Sequence, residues 1–409
     1  MYLVINCFGL LVFLLIGFIF SKNKKQINWR SIGIMLFINL VLAWFFTSFE
    51  AGRIAVQAAA NGFNWLVEVS YKGIVFALPN WVTPAFGGTA QSMNFVTSAL
   101  LPVLLIVPLF DILTYVGILP WIIKWIGRAM SFVTGQPRFE SFFAIEMMFL
   151  GNTEVLAISG RQLRQMRAER NVTLAMMSMS CVTASILGAY TQMVPGQFVL
   201  TAVPINVINA LIVTNLLNPI KVTAEEDTIA SVESIDSGKP KKEPFFSFLG
   251  DSILGAGRLI LIITANVIAF VALAALADKI LGLIWHPLSL ESILGCIMFP
   301  FAWLLGFPVH EAWTLSQDMG LKLVTNEFVV MGRVAGHVIN GYSSHLRAVL
   351  TVFLTSFANF GTTGMIIGAF KGLVDKQKND LIAKNVGYML LSGILVSLLS
   401  AGLVGLFVW

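Results

Sequence analysis

The chain has 409 residues, of which 57% are hydrophobic and only 11% charged, with a formal net charge of +5 and a mean hydropathy of +0.83. An ordinary soluble domain carries about 25% charged residues, so the composition excludes that class and places the chain in a lipid bilayer. The basic excess does not point to nucleic acid, because Lys and Arg collect at the ends of apolar runs, where membrane topology explains them.

Apolar runs of about 20 residues recur at about 1–20, 31–49, 92–118, 172–192, 197–217, 250–278, 347–369 and 385–408. Each is long enough for a helix across a hydrocarbon core of about 30 Å, so eight spans are expected. No basic region precedes the first run and no convincing cleavage site precedes Lys22, so residues 1–21 read as a retained helix. Residues 50–90, with Glu50, Arg53, Glu68 and Lys72 among apolar neighbours, predict a helix lying at the interface. Trp81, Trp121, Trp125 and Trp285 fall where indoles anchor at the headgroup boundary. Residues 222–246 are polar, charged and interrupted by proline, the pattern of a mobile cytoplasmic linker. Basic clusters follow alternate spans: Lys22, Lys24, Lys25 and Arg30; Lys124 and Arg128; Lys221, Lys239, Lys241 and Lys242; Lys371, Lys376 and Lys378. By the positive-inside rule these loops are cytoplasmic and both termini lie outside. Cys7, Cys181 and Cys296 are scattered, without disulfide or zinc spacing.

Two segments share the pattern G-x-P-x-x-E-small-aromatic: Gly135 to Phe142 and Gly306 to Trp313. Each is followed by a second acid in a polar break, Gly151-Asn152-Thr153-Glu154 and Thr325-Asn326-Glu327. Acids inside apolar segments of both halves indicate an internal repeat around a membrane-embedded site. The breaks leave half-spans on each side, so residues 137–168 and 308–336 read as re-entrant hairpins entering from opposite sides. Non-helical backbone is tolerated at such depth only when protein or a water-filled cavity surrounds it. An ionised carboxylate at the centre of a lipid-embedded helix costs about 2.5–3.5 kcal/mol. Glu154 and Glu327 are therefore read as functional, with structural pairing to Lys322 or Arg333 as the alternative; Glu140 and Glu311 are read as hairpin-base caps or ion-pair partners.

Polar runs recur inside the following spans, at Ser178 to Ser185 and Ser356 to Gly364. Hydroxyl residues in membrane helices often serve close packing alone, and that reading stays open for the first run. The second combines an amide, hydroxyls, two glycines and two phenyl rings, which suits an unwound helix offering hydrogen bonds and a stacking face. Carboxylates accept from vicinal hydroxyls, an amide pairs with a ring edge, and a phenyl face covers a flat heterocycle. A sugar attached to a base satisfies all three.

From about residue 92 to 408 the chain resembles the concentrative nucleoside transporters. The resemblance rests on Gly135 to Glu154, on Ile186-Leu187-Gly188-Ala189-Tyr190, on Lys322-Leu323-Val324-Thr325-Asn326-Glu327-Phe328-Val329 and on Phe357-Ala358-Asn359-Phe360-Gly361-Thr362. It implies an all-α polytopic fold with two re-entrant hairpins in inverted repeats, an elevator-type mechanism and a homotrimer. The parts would be an N-terminal scaffold (1–134), a first transport repeat (135–217), a linker (218–248), a scaffold and trimerisation helix (249–290) and a second repeat (291–409). By the same resemblance Asn152, Thr153 and Glu154 face the base, Glu327, Asn359 and Thr362 face the ribose, and Phe357 forms an apolar wall. The helix around 183–187 also approaches the base, in a register left open. No cofactor is implied; the partners are a nucleoside, a coupling ion and the lipid bilayer of the cytoplasmic membrane.

Two departures matter. Sodium-coupled members have an asparagine five positions before the motif glutamine, and here that place is Met147. A thioether is a poor ligand for a hard cation, so the expectation is proton symport, with Glu154 or Glu327 as carrier and Asp111 or Glu146 as secondary candidates. Asn152 replaces the glutamine and Thr362 a serine; the shorter amide leaves more room beside the base and favours purine nucleosides over pyrimidine ones. Sodium coupling and a pyrimidine preference remain the alternatives, and a passive channel a further one. An enzyme is disfavoured: His310-Glu311-Ala312-Trp313-Thr314 lacks the second histidine of a zinc-protease motif, and no Gly-x-Ser-x-Gly elbow occurs.

Overall fold

Every regular element in the computed structural model is helical, across the described residues 1–151, 155–156, 158–223, 225–227, 244–285 and 288–409. The first two helices, α1 (Tyr2–Ile19) and α2 (Trp29–Thr47), are apolar all round and bury only narrow stripes: Asn6, Gly9, Phe13 and Gly17 on α1, and Ser31, Ile32, Met35, Asn39 and Ala43 on α2. That suits a helix facing lipid on one side and protein on the other. The expected interfacial segment is helix α3 (Glu50–Ala77), whose buried Gly52, Val56, Ala60, Val67, Ser70, Tyr71 and Ile74 form one stripe. Short 3-10 turns at Pro79–Trp81 and Pro84–Phe86 follow it.

A π-turn over Val96–Leu100 leads into α4 (Val103–Val116), and α5 (Ile118–Thr134) then runs to the first G-x-P segment. Gly135 and Gly306 both adopt positive φ, +67° and +90°, a left-handed conformation that side chains other than glycine's rarely take. Pro137 and Pro308 follow as the N-caps of α6 (Arg138–Phe149) and α13 (Val309–Val324). At 1.5 Å per residue these helices reach about 18 and 24 Å, short of a bilayer crossing. Each enters a repeat unit of the same order. In the first, α6 is followed by α7 (Gly160–Gln165), by the broken pair α8 (Ala168–Met177) and α9 (Ala184–Thr191), and by α10 (Gly196–Leu217). The second opens with α13 and α14 (Glu327–Val334), continues through the broken pair α15 (Ser344–Leu354) and α16 (Phe360–Lys371), and passes α17 (Lys376–Lys384) to end in α18 (Val386–Gly405). Between the repeats stand α11 (Phe245–Ile284) and α12 (Leu290–Leu304).

Six helices among the described residues are long and apolar enough to cross a membrane: 2–19, 29–47, 96–116, 196–217, 245–284 and 386–405. The expected spans at 172–192 and 347–369 are not continuous. Both unwind at their polar runs, over 178–183 and 355–359, so the first run is a true break and not merely a packing device. Hydropathy windows average over such breaks, which is why both segments count as full spans by length even though the second polar run already suited an unwound helix.

The repeats fold onto each other through α10 and α18, which pack in the middle of the molecule. Asn39 Nδ2 donates to Asn209 Oδ1 at 2.9 Å, and Asn209 Nδ2 to Ser400 Oγ at 2.9 Å, tying α2, α10 and α18 together. Asn6 Nδ2 adds a bond to the Gly402 carbonyl at 3.0 Å. Buried amides have no water to fall back on, so such bonds fix register as well as adding stability.

Part of the linker expectation needs correction. Residues 225–227 are held against the first hairpin base: Arg167 Nε pairs with Glu226 Oε1 at 2.9 Å, and the Arg138 backbone N–H donates to Asp227 Oδ1 at 2.6 Å. The remaining linker positions 224 and 228–243 lie outside the described residues.

Candidate functional site

The two G-x-P-x-x-E acids perform equivalent tasks at the hairpin bases. Glu140 takes a bidentate bond from Arg170 of α8, both contacts at 2.8 Å, with the pair almost fully buried. Glu311 accepts from the hydroxyl of Ser343, the N-cap of α15, at 2.9 Å. Each acid thus ties its hairpin to the start of the broken helix that follows, Glu140 as the ion-pair partner expected of it and Glu311 through a neutral hydroxyl instead.

At the second tip, Asn326 caps α14 by accepting from the Val329 N–H at 3.1 Å, and Glu327 occupies the first turn of that helix. A carboxylate there gains from the positive end of the helix dipole. Glu327 is 2% exposed; its Oε1 accepts from Tyr190 Oη at 3.1 Å and its Oε2 from Asn359 Nδ2 at 3.2 Å. Asn359 is itself the N-cap of α16, its Oδ1 accepting from the Thr362 N–H at 2.8 Å. One amide therefore terminates a broken helix and orients the hairpin carboxylate.

Neither expected structural partner of Glu327 binds it directly. Arg333 is engaged by Glu291 at 2.7 Å and Asp318 at 2.6 Å. The ammonium of Lys322, wholly buried, donates to the Phe353 carbonyl and the Ser356 hydroxyl, both at 2.6 Å, and lies 4.5 Å from the Phe353 ring centre. It sits at the C-terminal ends of both α13 and α15, where dipoles favour a cation.

These elements enclose a cavity of about 640 Å³. Glu327, Asn359, Thr362 and Phe357 all line it, so four of the expected site residues converge. Thr183 lines it from the end of the first break, and Ser185 and Ile186 from the first turn of α9. Gly151 borders it from the first hairpin; Asn152, Thr153 and Glu154 lie outside the described residues. Asp111 is also in the wall, hydrogen-bonded by Ser252. Glu146 and Met147 are buried in α6 away from the lining, and the Met147 sulfur accepts from Ser178 Oγ at 3.8 Å.

Tyr190 is the site residue that sequence reasoning missed. It was legible only as part of a motif, yet a fully buried tyrosine needs a partner for its hydroxyl, and Glu327, 137 positions away, provides it. Its ring also meets Phe328 edge-on, with centroids 5.1 Å apart.

Two unwound helices and a hairpin tip meeting around a solute-sized cavity are the build of a polytopic membrane transport protein. The comparisons agree. The family model for the Na+ dependent nucleoside transporter C-terminus matches residues 198–405, and that for the N-terminus residues 8–81. The purine nucleoside transport protein NupG of Bacillus subtilis is 44% identical over 409 residues, covering 100% of each chain. The nucleoside permease NupC of Helicobacter pylori is 27% identical over 411 residues, covering 98% of this chain and 96% of its own. The structure of CNTnw in an inward-facing substrate-bound state superposes with a TM-score of 0.89 at 24% identity, covering 100% of this chain and 98% of that one. The chain belongs to the concentrative nucleoside transporter family, and so is a transport protein and not an enzyme.

Proposed function

We propose that the protein imports nucleosides, purine nucleosides in preference, by proton symport across the cytoplasmic membrane. The observation that carries the substrate class is the convergence of Glu327, Asn359, Thr362 and Phe357 on one cavity. Glu327 and Asn359 offer acceptor and amide groups to ribose hydroxyls, and Phe357 offers an apolar face. Asn152, Thr153 and Glu154, adjoining Gly151 in the chain, are assigned to the base. The purine preference is supported by the shorter Asn152 side chain and by the name of the Bacillus subtilis relative. Competition in which uridine displaced labelled substrate better than guanosine and inosine would reverse it.

Proton coupling is supported by Met147, which is fully buried with its thioether against a serine hydroxyl where the sodium-coupled pattern has an amide. A neutral nucleoside gains nothing from the membrane potential, whereas one co-transported charge gains about 2.3 kcal/mol per 100 mV. At about 1.4 kcal/mol per tenfold, that sustains a gradient of roughly 40- to 50-fold. Proteoliposomes given separate sodium and pH gradients test this: uptake that follows sodium and ignores pH rejects proton symport.

Glu327 and Glu154 are the proposed carriers. One observation favours a second reading: Glu146 is buried and its Oε2 has no hydrogen-bond partner among the described residues. If Glu146 is the carrier, Glu146→Gln uncouples uptake from pH while nucleoside binding survives; Glu327→Gln impairs binding in either case.

The quaternary and topological parts belong to the same proposal. The 40-residue α11 buries only Ser252, Ala256, Ile260 and Ile263, leaving an apolar surface suited to association in a homotrimer. Mass measurement in detergent tests that state, and reporter fusions test the placement of both termini outside.

A further inference from the structure

Helix α5 joins α4 to the first hairpin base and carries two adjacent stripes. Lys124, Gly127, Arg128 and Ser131, at spacings of three and four, share one face and line a cavity of about 420 Å³ completed by Phe132, Arg138 and Phe142. On the neighbouring face Trp121, Trp125 and Phe132 are exposed, Phe132 at 89%. Three cations thus meet in one cavity, and no carboxylate is among its described lining residues.

Among the described residues their other contacts compensate this charge only in part. Arg138 Nε forms a long ion pair with Asp227 Oδ2 at 3.9 Å, and Lys124 and Arg128 line the cavity beside it. Arg128 lies 5.6 Å from the Trp125 ring centre, and the Ser131 hydroxyl is spent on the Gln136 carbonyl. Topology alone favours cations on one side of the membrane but does not require them to share a cavity, where like charges repel. An anion with several acceptor oxygens removes that repulsion, and Arg and Lys together suit a phosphate. The exposed indoles and phenyl ring beside the cations belong at the headgroup boundary, which places acyl chains within reach of the same anion.

We propose that this cavity is a binding site for the phosphate headgroup of an anionic phospholipid, drawn from the leaflet on the lysine-rich side, which bridges α5 and the base of α6. The proposal does not depend on which nucleoside or ion is carried.

Native mass spectrometry of the full-length protein in detergent, titrated with phosphatidylglycerol, phosphatidylcholine or inorganic phosphate, tests it. Phosphatidylglycerol is expected to fill one saturable site per protomer. Lys124→Gln or Arg128→Gln is expected to weaken that binding about fivefold each, the equivalent of about 1 kcal/mol per basic residue at a membrane surface. Lys124→Arg retains it, and so does a variant combining Lys371→Gln, Lys376→Gln and Lys384→Gln, which removes cations elsewhere. On the wild-type protein, a photoreactive phosphatidylglycerol should label peptides containing residues 124–132 or 138–142, a readout that needs no variant to fold. Unchanged binding in both Gln variants, equal binding of phosphatidylcholine, or label elsewhere overturns the proposal. Inorganic phosphate binding as tightly as the lipid overturns it too, reassigning the cavity to a free anion.

Discussion

Glu327 is held from two sides by neutral donors, so each donor is separately testable. A hydrogen bond to a charged group contributes about 1.5–3 kcal/mol. Glu327→Gln should weaken nucleoside binding by about 10- to 150-fold in calorimetry while the protein still folds; unchanged affinity would remove the carboxylate from the ribose site. Tyr190→Phe keeps the ring packing on Phe328 but frees Oε1, and should shift the pH dependence of uptake and lower the melting temperature modestly. Lys322 predicts differently. Its ammonium serves the Phe353 carbonyl at the end of α15, so Lys322→Met should lower the thermal midpoint whether or not substrate is present. The acids were legible in sequence because charge in an apolar run is conspicuous. Their partners were not, because Lys322 and Arg333 are the near cations along the chain while the actual donors come from α9 and the α16 cap.

Helical elements were read best where hydropathy is continuous and worst where it is interrupted. Helices α1, α2, α10, α11 and α18 match expected spans closely; the runs at 172–192 and 347–369 contain enough apolar residues to hide breaks that are stabilised by distant groups. Asn206 Nδ2 from α10, for instance, satisfies the Thr355 carbonyl in the second break. At the hairpin base, removing one partner of a buried ion pair costs about 3–5 kcal/mol. Arg170→Ala should therefore destabilise strongly, and adding Glu140→Ala should recover part of the loss in unfolding assays; strict additivity would deny the coupling. The linker anchor is pH-sensitive. Bonds from the Thr223 backbone N–H and then the Arg167 guanidinium hold the Glu226 carboxyl below its ordinary value of 4.5. A depressed value means the contact contributes fully above 4.5 and is lost as pH falls through the lower folded value. Hydrogen exchange at residues 222–223 and 225–227, corrected for intrinsic rates, should thus rise only in acid and stay flat between about pH 6 and 8.

At the scale of the whole molecule, the contacts show which helices are bonded to one another. Gln136 Nε2 at the first hairpin base donates to Ser31 Oγ of α2 at 2.6 Å, and α2 is bonded to α10. We expect α2 to move with the repeats: in a background lacking Cys7, Cys181 and Cys296, a cross-link between Ser31→Cys and Gln136→Cys should leave uptake intact. Loss of uptake on cross-linking would support a scaffold boundary at residue 134 instead. The sequence by itself determined that the chain lies in a membrane, that it contains a repeat, and that acids in its polar breaks mark a site, because hydrophobicity and charge cost are local properties of short segments. Only the tertiary structure decided that the first polar run unwinds as the second does, that Thr183 and the first turn of α9 at Ser185 and Ile186 face the cavity, and that Tyr190 and Asn359 hold Glu327. Those are choices among partners far apart in the chain, and a buried polar group takes whichever donor the packed helices bring within about 3 Å.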